Sequence, residues 1–172
     1  MARGVGPSTF LPIAFQGQSD QRQAFSVAAF ISDVELAARL DVGFKGAVLE
    51  VIAVDPALAV EANCELLHAA LANLLQNAFK FTHENTVVTL TAYAFGEYVL
   101  MDVEDHCCGL PTIGAARMFI PFRQNDDSRA GLGLGLSIAR QSIEADHGTL
   151  TVRDVPGSGC VFTISLPRHA MP

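Results

Sequence analysis

The chain has 172 residues, 50% of them hydrophobic and 17% charged, which is enough apolar side chain for one core and too little charge for a disordered chain. Eleven Lys and Arg against 18 Asp and Glu give a net charge of −7; this excludes a surface built mainly to coat nucleic acid or anionic lipid, but not a small basic pocket for one phosphate chain. Mean hydropathy is +0.32, yet no apolar run nears the ~18–20 residues that span a bilayer and no signal-peptide pattern opens the chain, so a soluble chain without membrane contact is expected.

Residues 1–23 mix Gly, Pro, Ser, Gln and Asp with isolated apolar residues and read as a mobile lead, so the domain is expected to occupy 24–168, with 169–172 as a tail. Ser26 can cap a helix in which Phe30, Ile31, Val34, Ala37 and Ala38 recur at helical spacing up to Leu40. Residues 47–54 (AVLEVIAV) and 59–62 read as strands, and Asn63 caps a helix to about Lys80. Residues 86–95 and 97–105 flank Gly96 as a hairpin. Val88, Leu90, Ala92 and Ala94 share one face of its first strand, and Val99, Met101 and Val103 one face of the second. A short helical piece at 115–119 and a helix at 134–145 follow, then strands at 149–153 and 160–166 around the turn Pro156-Gly157-Ser158-Gly159. Strands that come mostly as hairpins and alternate with helices predict an α+β fold: a two-layer sandwich with helices on one face of a mixed, mostly antiparallel sheet.

Three patterns carry chemistry. Along the helix at 63–80, Leu67, Leu71, Leu74 and Ala78 form one stripe while Asn73, Asn77 and Lys80 form another. Two carboxamides and an ammonium at that spacing suit a magnesium–triphosphate, since an amide oxygen is a hard metal ligand and N–H groups donate to phosphate oxygens; taken alone, the stripe also fits an ordinary solvated helix face. Asp105, at a strand end before His106-Cys107-Cys108-Gly109, can accept from an exocyclic amine such as that of adenine, although many strands end in a turn-forming Asp. Gly131-Leu132-Gly133-Leu134-Gly135-Leu136 leads into a helix, where glycines let backbone N–H groups approach phosphates; the alternative is a flexible hinge. Neither Walker A nor dinucleotide-fingerprint spacing is present. The cysteines Cys64, Cys107, Cys108 and Cys160 make no CxxC pair and no zinc-ligand spacing with the five histidines, so reduced thiols in a cytoplasm are expected.

Read in order, these patterns resemble the ATP-binding catalytic domain of sensor histidine kinases, of the GHKL family with its Bergerat fold. LANLLQNAFKFT (71–82) resembles the N box, VEDHCCGL (103–110) the G1 box, MFIPFRQNDDSR (118–129) the F box and lid, GLGLGLSIAR (131–140) the G2 box, and 147–167 the closing strands. The resemblance implies ATP and Mg2+ as ligands: Asn77 as the magnesium ligand, Asn73 and Lys80 on the phosphates, Asp105 on the adenine amine, Gly109 shaping the adenine pocket, and Gly131, Gly133 and Gly135 on the phosphate side and lid hinge. Arg123 and Arg129 are candidates to neutralise charge at the γ-phosphate, Arg129 with Asn73 and Lys80 forming the catalytic set; either arginine reads equally as a solvated lid residue. Phe119 and Phe122 resemble the F-box aromatics or serve as core anchors. The lid between Phe122 and Leu132 has no apolar anchor from 124 to 128 and is expected to move without nucleotide. Gyrase-like and chaperone-like relatives carry a glutamate base where Asn73 stands. An amide cannot take a proton from water, so the resemblance implies histidine-kinase phosphoryl transfer to a protein side chain rather than efficient hydrolysis.

Three departures stand against that resemblance. None of His68, His83, His106, His147 and His169 sits in a phosphoacceptor motif. The acceptor is therefore expected on a dimerisation/phosphoacceptor domain of the same or another kinase chain, with a response regulator downstream. The chain reads as a monomeric, cytoplasmic fragment of a longer sensor kinase, whether or not the parent is membrane-anchored. Cys107 stands where the family has a G1 glycine, and Cys160 where it has a threonine beside the adenine-binding Asp; both changes crowd or weaken one pocket. They raise a second reading, a degenerate domain used for docking or regulation. They also raise the idea of a redox switch among Cys107, Cys108 and Cys160.

Overall fold

The computed structural model describes residues 21–40, 46–110, 118–120 and 134–170. The elements run β1 (Gln23–Ser26), α1 (Val27–Leu40), β2 (Val48–Val51), β3 (Ala59–Ala62), α2 (Cys64–Phe81), β4 (Val87–Phe95), β5 (Tyr98–Glu104), α3 (Gly135–Ala145), β6 (Thr149–Val155) and β7 (Gly159–His169). The strands form one seven-stranded sheet in the order β1-β3-β7-β5-β4-β2, with β6 also paired to β7. Every pairing is antiparallel except β2 with β4. That parallel pair needs a crossover, which the chain makes through α2. The expected mixed, mostly antiparallel α+β sandwich is thus the observed fold.

α2 is the central helix because its apolar residues keep the helical period for its whole length. Leu67, Ala70, Leu71, Leu74, Leu75, Ala78 and Phe79 are all buried. Each fully buried leucine contributes about 1.5–3 kcal/mol, so this stripe outweighs the ~1 kcal/mol of its N-cap. Asn63 is that cap, its side chain accepting from Leu66 N at 3.1 Å. The helix stops at Thr82, which turns extended at ψ 152° while its N–H still donates to Ala78 O. α1 and α3 pack beside α2. α3 buries Ser137 and Ser142, whose hydroxyls donate to Leu134 O (2.9 Å) and Ile138 O (3.0 Å), so neither is left unpaired.

β7 is the hub of the sheet. Its residues pair with β5 from Val161 to Pro167, with β6 from Gly159 to Ser165, and with β3 at Arg168 and His169. Val88, Leu90 and Ala92 of β4, and Val99, Met101 and Val103 of β5, point into the core as the alternation predicts. Ala94 is exposed instead, because the hairpin end around Phe95 and Tyr98 runs past the buried core.

Other differences are local. The strand expected at 47–54 is only Val48–Val51. β1 was not expected as a strand; QAFS has no strong pattern and is extended by pairing with β3, Gln23 to Ala62 through Ser26 to Ala59. Ser26 still caps α1, its Oγ accepting from Ala29 N at 3.4 Å. Of the short helical piece expected at 115–119, Met118 and Phe119 form a single 3₁₀ turn, and the rest lies outside the described residues.

A buried polar knot ties the N-terminal side to the helices. Asp146, at the C-cap of α3 and 3% exposed, accepts from Asn63 N at 2.9 Å. It also lies 3.3 Å from Arg22 Nε, and Arg22 Nη2 donates to Glu61 O at 3.2 Å. Just beyond, His147 takes the left-handed conformation that ends α3, φ 61°. Gly148 is needed for packing: a Cβ there would meet Ser165 O at 2.6 Å and Ile143 Cγ2 at 2.8 Å.

Candidate functional site

One end of the candidate site lies where α2 meets the start of α3. Asn73 is half-buried on α2, and its Nδ2 reaches Gly135 O at 3.5 Å. A Cβ on Gly135 would sit 3.6 Å from Asn73 Oδ1, so the N-box-like helix and the G2-like helix are in contact distance here. Asn77 is half-buried and Lys80 exposed on the same helix; Lys80 Nζ lies 5.1 Å from the Phe81 ring centroid. Unlike α2, α3 has no side-chain cap and no acid in its first turn. Its first N–H groups, at the positive end of the helix dipole, therefore face no competing side-chain acceptor from the cap and suit phosphate oxygens.

The other end is built around Asp105, where β5 leaves the sheet. Its N–H donates to Cys160 O at 3.0 Å, continuing the β5–β7 ladder by one residue. Its side chain is 3% exposed, and Oδ1 accepts from Cys107 N and Cys160 N, both at 3.1 Å. Two amides thus fix the same carboxylate oxygen, one from the following loop and one from β7. Close approach makes this possible: a Cβ on Gly159 would meet the Asp105 carbonyl carbon at 2.8 Å and Cys107 N at 2.9 Å. Gly109 sits at φ +91°, a conformation that favours glycine, and Asp154 of β6 holds the loop by accepting from Leu110 N at 3.0 Å.

The loop is also anchored to the end of α2. His106 N donates to Thr82 Oγ1 at 3.1 Å, His83 N donates to His106 O at 3.2 Å, and His106 Nδ1 lies 2.8 Å from Val87 O. Cys107 Sγ and Cys160 Sγ are 2.9 Å apart, with no disulfide between them. Burial is the main cause that raises both thiols above the ordinary range; the Asp105 carboxylate adds to the effect at each. Cys108 is exposed, its Sγ 3.8 Å from His83 Nε2.

The structure therefore brings Asn73 against Gly135 at one end and places Asp105 and Gly109 in one loop at the other; Asn77 and Lys80 lie on α2, whose end holds that loop through Thr82. Arg123, Arg129, Gly131, Gly133, Phe122 and the lid lie outside the described residues. Phe119 is buried at 8% exposure in the main core, under the Arg140 guanidinium at 5.3 Å, which fits its reading as an anchor. Sequence reading missed Asp154, Thr82 and Asp146. Asp154 precedes the Pro156-Gly157 turn and had a signal as a strand-end carboxylate; the other two act through contacts distant in sequence.

Comparison with known proteins gives the family. Residues 62–170 match the family described as histidine kinase-, DNA gyrase B- and HSP90-like ATPase. The sensor histidine kinase TmoS of Ectopseudomonas mendocina is 35% identical over 120 residues, 67% of this chain and 12% of its own length. The sensor protein KdpD of Mycobacterium tuberculosis is 36% identical over 127 residues, 72% of this chain and 15% of its own. The chain thus spans less than a sixth of either relative. Full-length ShkA, solved in complex with AMPPNP, superposes with a TM-score of 0.76 at 28% identity over 87% of this chain and 32% of its own. The mycobacterial sensor histidine kinase MprB shares the fold, with a TM-score of 0.75 at 24% identity over 87% of this chain and 99% of that one. Four ordered motifs, the two ends of the site and these matches lead to one conclusion: the chain belongs to the histidine kinase-, DNA gyrase B- and HSP90-like ATPase family, as an ATP-binding catalytic domain of the sensor histidine kinase type.

Proposed function

We propose that this domain binds ATP with magnesium and donates the γ-phosphoryl group to a histidine on a dimerisation/phosphoacceptor domain of the same or another kinase chain, in a cytoplasmic setting with a response regulator downstream. The observation that carries the reading is the buried Asp105 carboxylate, held by two backbone amides at the end of β5. So fixed, it accepts from the exocyclic amine of adenine and opposes the carbonyl that guanine presents there. At the other end, Asn73 and Lys80 donate to phosphate oxygens, and the first turn of α3 adds backbone N–H groups. The donor set on that helix face fits magnesium, since the carboxamide oxygens are hard ligands and no thiol is among them, while the Lys80 ammonium serves the phosphate oxygens. Asn77 would hold the ion through its carboxamide oxygen. Bound there, the ion offsets the charge of the phosphate chain. Gly131 and Gly133 let backbone approach the phosphates, and Arg129 balances charge at the γ-phosphoryl group.

Asn73 decides what becomes of that group. A carboxamide has no basic site to take a proton from water, so the γ-phosphoryl group is kept for a protein acceptor instead of being lost to hydrolysis. The test is calorimetric titration with AMPPNP, with and without magnesium, beside GTP and an Asp105→Asn variant. Magnesium-assisted, adenine-selective binding is expected. Hydrogen bonds to a charged group contribute about 1.5–3 kcal/mol, so the variant should weaken it by about tenfold or more. Transfer itself is read by phosphorylation of a supplied acceptor domain. No binding at millimolar nucleotide would sink this reading in favour of the second one, a docking or regulatory domain. That alternative rests on the two thiols that stand beside Asp105.

A further inference from the structure

We propose that Cys107 and Cys160 form a reversible disulfide under peroxide, a modification site that controls whether the adenine end of the pocket accepts nucleotide; this rests on the ATP-binding reading above. The two sulfurs are 2.9 Å apart across the gap between the loop after β5 and the start of β7, and an approach of about 0.9 Å brings them to the ~2.05 Å of a disulfide. The two sides of the gap differ in how they are held: Cys160 lies in β7 between β5 and β6, whereas Cys107 lies in a loop held by separate bonds at His106, Cys107 and Leu110. The loop is therefore the part that moves.

The backbone N–H groups of these same two residues both bind Asp105 Oδ1. A bond between the side chains thus acts on the two amides that aim the base-reading carboxylate. The Asp105 oxygen and both sulfurs lie within 4.8 Å of one another, so little of that displacement can be absorbed before it reaches the carboxylate.

The chemistry needs only peroxide as oxidant. The sulfur of Cys107, the less buried residue of the pair, attacks a peroxide oxygen; the S–O bond forms, the O–O bond breaks, and one water leaves with the thiol proton. Cys160 Sγ then attacks the sulfenic sulfur; the S–S bond forms, the S–O bond breaks, and a second water leaves. Two thiols and one H2O2 give one disulfide and two waters, the two electrons passing from sulfur to oxygen. A dithiol reductant reverses the change by exchange. Because burial keeps both groups as thiols at neutral pH, the pair responds to sustained peroxide rather than to traces.

The experiment treats the whole chain with hydrogen peroxide in the presence of a chelator, then measures intact mass, a tryptic map and AMPPNP affinity before and after dithiothreitol. Expected are a loss of about 2 Da, a cross-link between fragments 81–117 and 154–168, and an affinity at least tenfold lower that returns on reduction. Fragment 81–117 also holds Cys108, so a Cys108→Ser variant must keep the response. Cys160→Ser and, separately, Cys107→Ser must each lose it. A reduced chain that binds AMPPNP but forms no such link overturns the proposal and leaves the ATP reading intact. A link with unchanged affinity overturns the control of nucleotide. A reduced chain that binds no nucleotide while the link still forms overturns the ATP reading and the switch with it, and supports only the modification site.

Discussion

At the scale of single residues, the site depends on close approach of backbone to backbone. Asp105 reaches two amides only because Gly159 has no side chain between the strands. A Gly159→Ala substitution should cost about 1–3 kcal/mol through overpacking and also displace Asp105; urea denaturation and AMPPNP titration of the same sample check both effects. Unchanged affinity in a folded variant would show that the carboxylate is not held this way. The thiols give a pH prediction whose sign follows from burial. Folding raises the pKa of Cys107 and Cys160, so the unfolded chain loses these protons first. Their contribution to stability is complete below the ordinary thiol pKa of about 8.5 and is lost as pH rises past it. Urea midpoints under reductant should therefore fall between pH 8 and 10, and less steeply in a Cys107→Ala Cys160→Ala double variant.

Among elements, α2 carries three duties at once. One face builds the core, a second presents Asn73, Asn77 and Lys80, and its end holds the Asp105 loop through Thr82. Its start is fixed twice, by the Asn63 cap to Leu66 N and by the bond from Asn63 N to the buried Asp146. Asp146→Ala leaves that amide buried without its partner and removes the carboxylate beside Arg22, and should cost about 1–3 kcal/mol. Asn63→Ala removes the side-chain cap and should cost about 0.5–2 kcal/mol. Thermal unfolding of the pair separates the two; equal, negligible losses would mean that α2 and α3 are positioned by apolar packing alone.

On the scale of the whole molecule, one core joins the helical layer to the sheet and so fixes the distance between the two ends of the site. Leu71 is 0% exposed at the middle of α2. Leu71→Ala should cost about 2–5 kcal/mol, read from the urea midpoint. Because the same core supports both α2 and β5, amide exchange should speed up together at Asn73 and Met101, not in α2 alone. Exchange confined to α2 would mean that the layers unfold separately.

Much of this architecture was legible in the chain itself because it is local. The period of α2, its Asn63 cap, the hairpin around Gly96 and the inward faces of β4 and β5 follow from spacing and turn chemistry within a few residues. The residue types of the site were legible for the same reason: Asn73, Asn77 and Lys80 share a helix face whatever that helix packs on. What stayed hidden depends on partners far away in sequence. QAFS becomes a strand only beside β3, Asp146 matters only where Asn63 and Arg22 meet it, and Asp154 secures a loop 44 residues earlier. The cysteines mark the boundary most clearly. The sequence by itself determined the motifs whose resemblance to the kinase boxes marks Cys107 and Cys160 as departures, but only the tertiary structure, by pairing β5 with β7, decided that the two sulfurs 53 positions apart would meet beside Asp105. Spacing along a chain sets periodicity on one element, while contact between elements is set by which buried faces fit together.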